Sequence, residues 1–188
     1  MKNRKVILSM QMTLDGYIAG PNDEMDWVST SDAEWDSMFT ELTNVDTYLL
    51  GRKMYPGYSV YWRSLIDQPN PSNERKFARL ADKTQHIVFS RGDFKPDWSN
   101  TRVAHDPSTE ISRLREQDGK NIIVWGGGSF AKSLIDLGLI DEYRIVLNPT
   151  LLGSGKPLFK ESKQRKALKL LEAQPLKSGL VLLRYGTH

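Results

Sequence analysis

Three consecutive glycines, Gly126, Gly127 and Gly128, follow the apolar run Ile122 to Trp125 and lead into Ser129 and Phe130, where a helical pattern begins. Residues without a Cβ let a ligand approach the main chain closely. The N-terminus of the helix that follows aims free N–H groups at an anion, so the layout suits a phosphate. A second junction repeats the scheme. In Y-L-L-G-R-K-M-Y, from Tyr48 to Tyr55, an apolar strand pattern ends on Gly51 and is followed by the cations Arg52 and Lys53. Arginine can fork two hydrogen bonds onto one phosphate. Each junction alone also reads as a tight turn after a strand, but two in one chain point to a dinucleotide.

The elements that must position these residues alternate in kind. Apolar runs bounded by turn residues are interleaved with amphipathic helical patterns, which predicts an α/β domain with a largely parallel sheet. Lys5 to Met12 reads as the first strand. A helix follows through Trp35, Met38, Phe39 and Leu42, with Ser31 as N-cap and Glu34 three residues on completing a capping box. Thr47 to Leu50 is a buried strand, Ser72 to Ala81 a helix, and His86 to Phe89 a strand ending at Ser90 and Arg91. Asp106 and Pro107 start another helix, which Gly119 stops. Asn121 to Trp125 is the strand before the glycines, and Gly138 closes the helix after them. Glu142 to Leu147 is a further strand, and Asn148 to Pro157 a loop rich in Gly and Pro. The tail, Ala167 to Ala173 and Leu180 to Tyr185 about P-L-K-S-G, reads as an antiparallel hairpin turning at Gly179.

Composition narrows the function classes. The 188 residues suit one domain, 1–188, with a sizeable core. No cysteine is present, so disulfides, thiol catalysis and thiolate metal sites are excluded. No apolar run reaches the length of a membrane span, and the basic start Met1 to Lys5 leads into an alternating segment, so a cytoplasmic protein without membrane contact is expected. The net charge of +3 is scattered, with only a modest basic cluster from Lys163 to Lys169, which reads as a solvated face rather than a nucleic-acid surface. His86, His105 and His188 are isolated from one another and have no metal-ligand spacing. Trp27, Trp35, Tyr55, Tyr58, Tyr61 and Trp62 crowd the first third of the chain, as core residues or as plates for a flat ligand.

Taken together, S-M-Q-M-T-L-D-G-Y-I-A from Ser9, L-G-R at 50–52, F-S-R at 89–91, G-G-G-S-F at 126–130, L-I-D-E-Y from Leu139 and P-T-L-L-G-S-G-K-P-L-F from Pro149 span nearly the whole chain. In this order they resemble the dihydrofolate reductase-like superfamily, and within it the reductase domain of bacterial riboflavin-biosynthesis enzymes and their stand-alone relatives. The resemblance implies a mixed, mainly parallel sheet with helices on both faces, and hydride transfer from NADPH to a small heterocycle or carbonyl-type carbon. It assigns Gly126, Gly127, Gly128, Ser129 and Phe130 to the pyrophosphate, with Gly51, Arg52 and Lys53 opposite. Ser90 and Arg91 would take the 2′-phosphate that distinguishes NADPH from NADH. Asp15 and Gly16 would lie over nicotinamide and substrate, with Asp15 binding a ring N–H or relaying a proton; Asp-Gly is also a common turn pair. A homodimer is implied, with the Pro149 to Phe159 loop and the terminal hairpin as its contact.

The chain departs from the family pattern at three positions. Trp125 stands where riboflavin-pathway reductases commonly carry Glu, and is placed at the substrate. Met54 replaces a hydroxyl-bearing Thr. Counting back four residues from Phe39 to the acid that folate reductases use gives Trp35, with Asp36 turned about 100° away. These replacements keep open a second reading, a dinucleotide-binding module without catalysis.

Overall fold

The computed structural model describes residues 4–159, 165–177 and 179–187; Lys163 of the basic cluster, Ser178 of the hairpin and His188 lie outside them. The elements follow one another as β1 (Val6–Thr13), β2 (Tyr17–Ala19), α1 (Asp32–Leu42), β3 (Val45–Gly51), α2 (Tyr55–Leu65), α3 (Asn73–Lys83), β4 (Gln85–Phe89) and β5 (Thr101–Ala104). After these come α4 (Pro107–Glu116), β6 (Asn121–Gly126), α5 (Gly128–Asp136), β7 (Glu142–Asn148), β8 (Lys156–Pro157), β9 (Leu168–Pro175) and β10 (Val181–Thr187). Eight strands form one sheet in the order β5-β4-β3-β6-β1-β7-β10-β9, and β2 pairs separately with β8. From β5 to β7 every pairing is parallel, whereas β10 runs antiparallel to β7 and β9. The fold is thus the mixed, mainly parallel α/β sheet that the resemblance implies, with its antiparallel hairpin on one edge.

Parallel strands covered on both faces read as unbroken apolar runs rather than alternating ones. Leu49 and Leu50 in β3, Ile87 and Val88 in β4, and Ile122 to Val124 in β6 are accordingly buried. One face packs against α4 and α5 through Ile111, Leu114, Ala131 and Leu134. The other packs against α1, α2 and α3 through Met38, Leu42, Tyr55, Tyr58, Phe77 and Ala81. With all six parallel strands pointing one way, Thr13, Gly51, Phe89, Ala104, Gly126 and Asn148 end on the same edge of the sheet. Crevices along that edge are where open α/β sheets bind ligands.

Several boundaries differ from the sequence reading for local reasons. The helix α2 is unannounced, because Pro56 and Gly57 fall in its first turn and depress its propensity, although proline is tolerated there. Strand β5 is a four-residue edge strand, and β2 and β8 are shorter still, so none carries a usable period. The pair β2–β8 replaces part of the loop expected from Asn148 to Pro157. Helix α4 stops at Glu116, before Gly119, with Gln117 extended at its C-cap. The capping box is half made: Ser31 Oγ accepts from Glu34 N at 3.2 Å, while the Glu34 side chain turns inward to the sheet.

Candidate active site

The glycine junction is built from the end of β6 and the start of α5. Gly126 has φ +108°, a left-handed backbone that an L side chain would strain. The Gly126–Gly127 peptide is cis. Gly127 is the N-cap of α5 and no side chain caps the helix, so its first N–H groups are open to an anion. Across from it, Gly51 permits a close approach: a Cβ there would stand 2.8 Å from Phe130 Cβ. Phe130 is held in place by stacking on Phe89, with centroids 4.8 Å apart. Its ring is therefore part of the packing that joins β4 to α5, and its backbone N–H donates to Gly127 O at 3.0 Å, which leaves the earlier N–H groups of the helix start for an anion. Met54 and Met10 approach Gly126, their sulfurs 3.7 and 3.4 Å from where its Cβ would lie. The thioether of Met54 thus fills the space in which a threonine hydroxyl was expected.

The cations lie around this junction. Arg52 and Lys53 are exposed just beyond β3. The Arg52 guanidinium sits 5.1 Å above the Phe94 ring, which restrains it without neutralising it. Ser90 and Arg91 follow β4, the strand beside β3, and Arg91 is exposed. Ser90 is buried and its hydroxyl donates to Gly92 O at 2.8 Å, so it shapes the turn that carries Arg91.

The α1 side of the same edge is polar in an unusual way. Glu34 is only 3% exposed and accepts from Gln11 Nε2 at 3.4 Å. Gln11 Oε1 in turn accepts from Asn148 Nδ2 at 2.8 Å, and Asn148 Oδ1 from Ser29 N at 3.0 Å. Burial pushes the Glu34 carboxyl above the ordinary range, against the weaker opposing pull of the Arg144 charge. Arg144 is itself buried, donating to Ser9 Oγ and Ser37 Oγ at 3.4 and 3.2 Å. Trp125 lies on this face too, one residue past the Val124–Leu8 pair, edge-on to Tyr48 and Phe77. It is half-buried and forms the aromatic wall beside the polar one.

Asp15 occupies the turn between β1 and β2. Its carboxylate accepts from Thr13 Oγ1 at 2.6 Å, Gly153 N at 2.8 Å and Leu152 N at 3.0 Å. The Thr13 hydroxyl bond, followed by the backbone bonds, holds its pKa below the ordinary carboxylate value. At neutral pH it is an ionised acceptor with its oxygens engaged, and has no proton to give. Gly16, beside it, has φ +89° in that turn.

The structure therefore gathers Gly51, Arg52, Lys53 and residues 126–130 at one point of the sheet edge, with Trp125 on its α1 side. Glu34 and Gln11 escaped the sequence reading. The signal present was one acid among Asp32, Glu34 and Asp36 and a glutamine in the first strand, and Glu34 was already explained as a capping residue.

A model of the RibD C-terminal domain matches residues 4–182. The chain belongs to the RibD C-terminal domain family. An uncharacterized protein of Bacillus subtilis (strain 168), YyaP, is 35% identical over 98% of this chain and 96% of its own length. A protein from Shewanella sp. PV-4 named for riboflavin biosynthesis superimposes with a TM-score of 0.77 at 21% identity, covering 98% of this chain and 99% of that one. The dihydrofolate reductase of Enterococcus faecalis, solved with NADP(H), gives a TM-score of 0.64 at 15% identity over 98% and 96% of the two chains. At these identities the two structures establish a shared fold, the dihydrofolate reductase-like one, for this RibD C-terminal domain protein. Among the described residues no helix is long and apolar enough to cross a membrane.

Proposed function

We propose that this RibD C-terminal domain protein is an NADPH-dependent reductase acting on a small heterocyclic or carbonyl substrate, with 5-amino-6-(5-phosphoribosylamino)uracil as the first candidate. The observation that carries this reading is the meeting of the Gly126–Phe130 junction with Gly51 at the carboxyl edge of the sheet, in a chain that matches the RibD C-terminal domain over residues 4–182. A Cβ at Gly51 would close the gap, and one at Gly126 would strain the backbone, so the cradle depends on their being glycine. The residues present fit a dinucleotide: open helix N–H groups at Gly127, Gly128 and Ser129 for the pyrophosphate, Arg52 and Lys53 opposite, and Arg91 for a 2′-phosphate.

When bound, NADPH supplies the hydride. The chain's own part is to orient and to manage the accompanying proton. Trp125 offers a flat apolar wall for a planar substrate, and Gln11 a polar amide beside it. Glu34, a buried carboxyl whose pKa burial raises, is the group assigned to deliver the proton to the substrate heteroatom as the adjacent carbon accepts the hydride. The reading of a dinucleotide-binding module without catalysis finds its support in Trp125 and Met54, which replace polar groups. Glu34 favours the enzyme, since a buried carboxyl is costly to maintain without use. Loss of NADPH absorbance on adding the pyrimidine substrate, or another heterocyclic acceptor, tests the proposal; binding of NADPH without turnover of any acceptor would favour the module instead.

A further inference from the structure

Asp15 joins two segments from opposite ends of the chain. Thr13 Oγ1, fully buried, donates to its Oδ1 and accepts from Tyr17 N at 2.9 Å, which fixes the turn. The carboxylate then reaches the loop after β7 through the N–H groups of Leu152 and Gly153. Leu14 N donates to Thr150 O at 2.9 Å and Leu158 N to Gly16 O at 3.1 Å, and Lys156 pairs with Asp23. Strands β2 and β8, of three and two residues, close the unit. A ladder that short does not hold by itself, so the side-chain ties decide its geometry. Hydrogen bonds to an ionised acceptor are the stronger kind.

This unit bears directly on the glycine junction. Strand β2 carries Ile18, and a Cβ added at Gly128 would stand only 2.8 Å from Ile18 Cδ1. The first residue of α5 is thus covered by a side chain whose placement depends on the strand pair.

We propose that Asp15 is a positioning residue of the cofactor cleft: its carboxylate fastens the 149–155 loop to the β1–β2 turn and so keeps Ile18 seated on Gly128, at the helix start that receives the pyrophosphate. The inference rests on the NADPH reading of that junction, and it replaces substrate contact or proton relay as the role of Asp15. Its carboxylate acts at a distance, through β2, on how long the cofactor stays.

Two measurements on the full chain test it together. Hydrogen exchange at residues 14–19 and 152–153 reports the tie itself, and the rate of NADPH release, followed by tryptophan fluorescence, reports its consequence. Asp15→Ala removes the hydrogen bonds from Thr13, Leu152 and Gly153 together and is expected to speed exchange in both segments and to shorten NADPH residence by about tenfold. Asp15→Asn keeps one acceptor oxygen but turns an NH2 toward Gly153 N, and is expected to fall between Ala and wild type; it also serves if the alanine variant does not fold. Unchanged exchange in Asp15→Ala, or faster exchange with unchanged NADPH release, overturns the inference alone. A wild-type protein that binds no NADPH overturns the reductase reading and this inference with it.

Discussion

Arg91 and Glu34 make opposite demands on the sequence. Arg91 is exposed after a strand end, where its F-S-R setting makes it readable in advance. Arg91→Ala should weaken NADPH binding by about 10–100-fold, the worth of a charge-assisted phosphate contact, and leave NADH binding almost untouched. Parallel titrations with the two dinucleotides check this, and equal losses would remove the 2′-phosphate assignment. Glu34 could not be read this way, because the capping position three residues after Ser31 is also a position facing the sheet. Only the packing of α1 over Gln11 shows which role the side chain takes. A carboxyl whose pKa is raised keeps its proton above the ordinary range and loses it as pH climbs. Turnover is therefore expected to fall on the alkaline side through the Glu34 pKa, and Glu34→Gln to lose about 100-fold or more in kcat with that limb gone. A variant with normal kcat would place the proton source elsewhere. Trp125 was legible as a departure from a pattern, whereas its edge-on packing against Tyr48 and Phe77 required the β6–β3 register.

At the level of elements, the long apolar strands and the capped helices were legible because local pattern and tertiary role agree there. The first turn of α2, with its Pro and Gly, and the short strands β2, β5 and β8 were not, since pairing partners rather than their own residues define them. The contact between β3 and α5 is tight enough to test by one methyl group. Gly51→Ala would press on Phe130, itself stacked on Phe89, and should cost about 1–3 kcal/mol of stability by chemical denaturation together with NADPH affinity. On the other face of the sheet, His86 is fully buried between Tyr58 and Thr84. Its Nδ1 donates to Thr84 O, which leaves Nε2 to accept from the Tyr58 hydroxyl, and burial lowers its pKa to about 4. Unfolded chains protonate this ring below its ordinary pKa of 6.5, while the folded protein resists until about 4. Stability is thus fully present above pH 6.5 and is lost as pH falls toward 4, by about 3 kcal/mol at most. Denaturation curves at neutral and acidic pH should show the loss, and His86→Gln should flatten it.

The whole molecule brings the candidate site residues to one edge of one sheet, at the carboxyl ends of six parallel strands. This placement followed from the order of motifs, whereas the open face at the far side of the sheet did not. There, β7, β9 and β10 leave a depression of about 280 Å³ lined by Met12, Tyr143, Ile145, Phe159, Leu183 and Tyr185, among others. The homodimer implied by the resemblance would cover it, and sedimentation should then show a dimer that Phe159→Asp converts to monomer; a wild-type monomer would remove the expectation. The central claim concerns the edge, and titration of the purified protein with NADPH and with NADH, followed by tryptophan fluorescence, tests it most directly. Saturable binding that favours NADPH is the result predicted. Failure of both dinucleotides to bind would contradict the account and leave the glycine junctions as features of the fold alone.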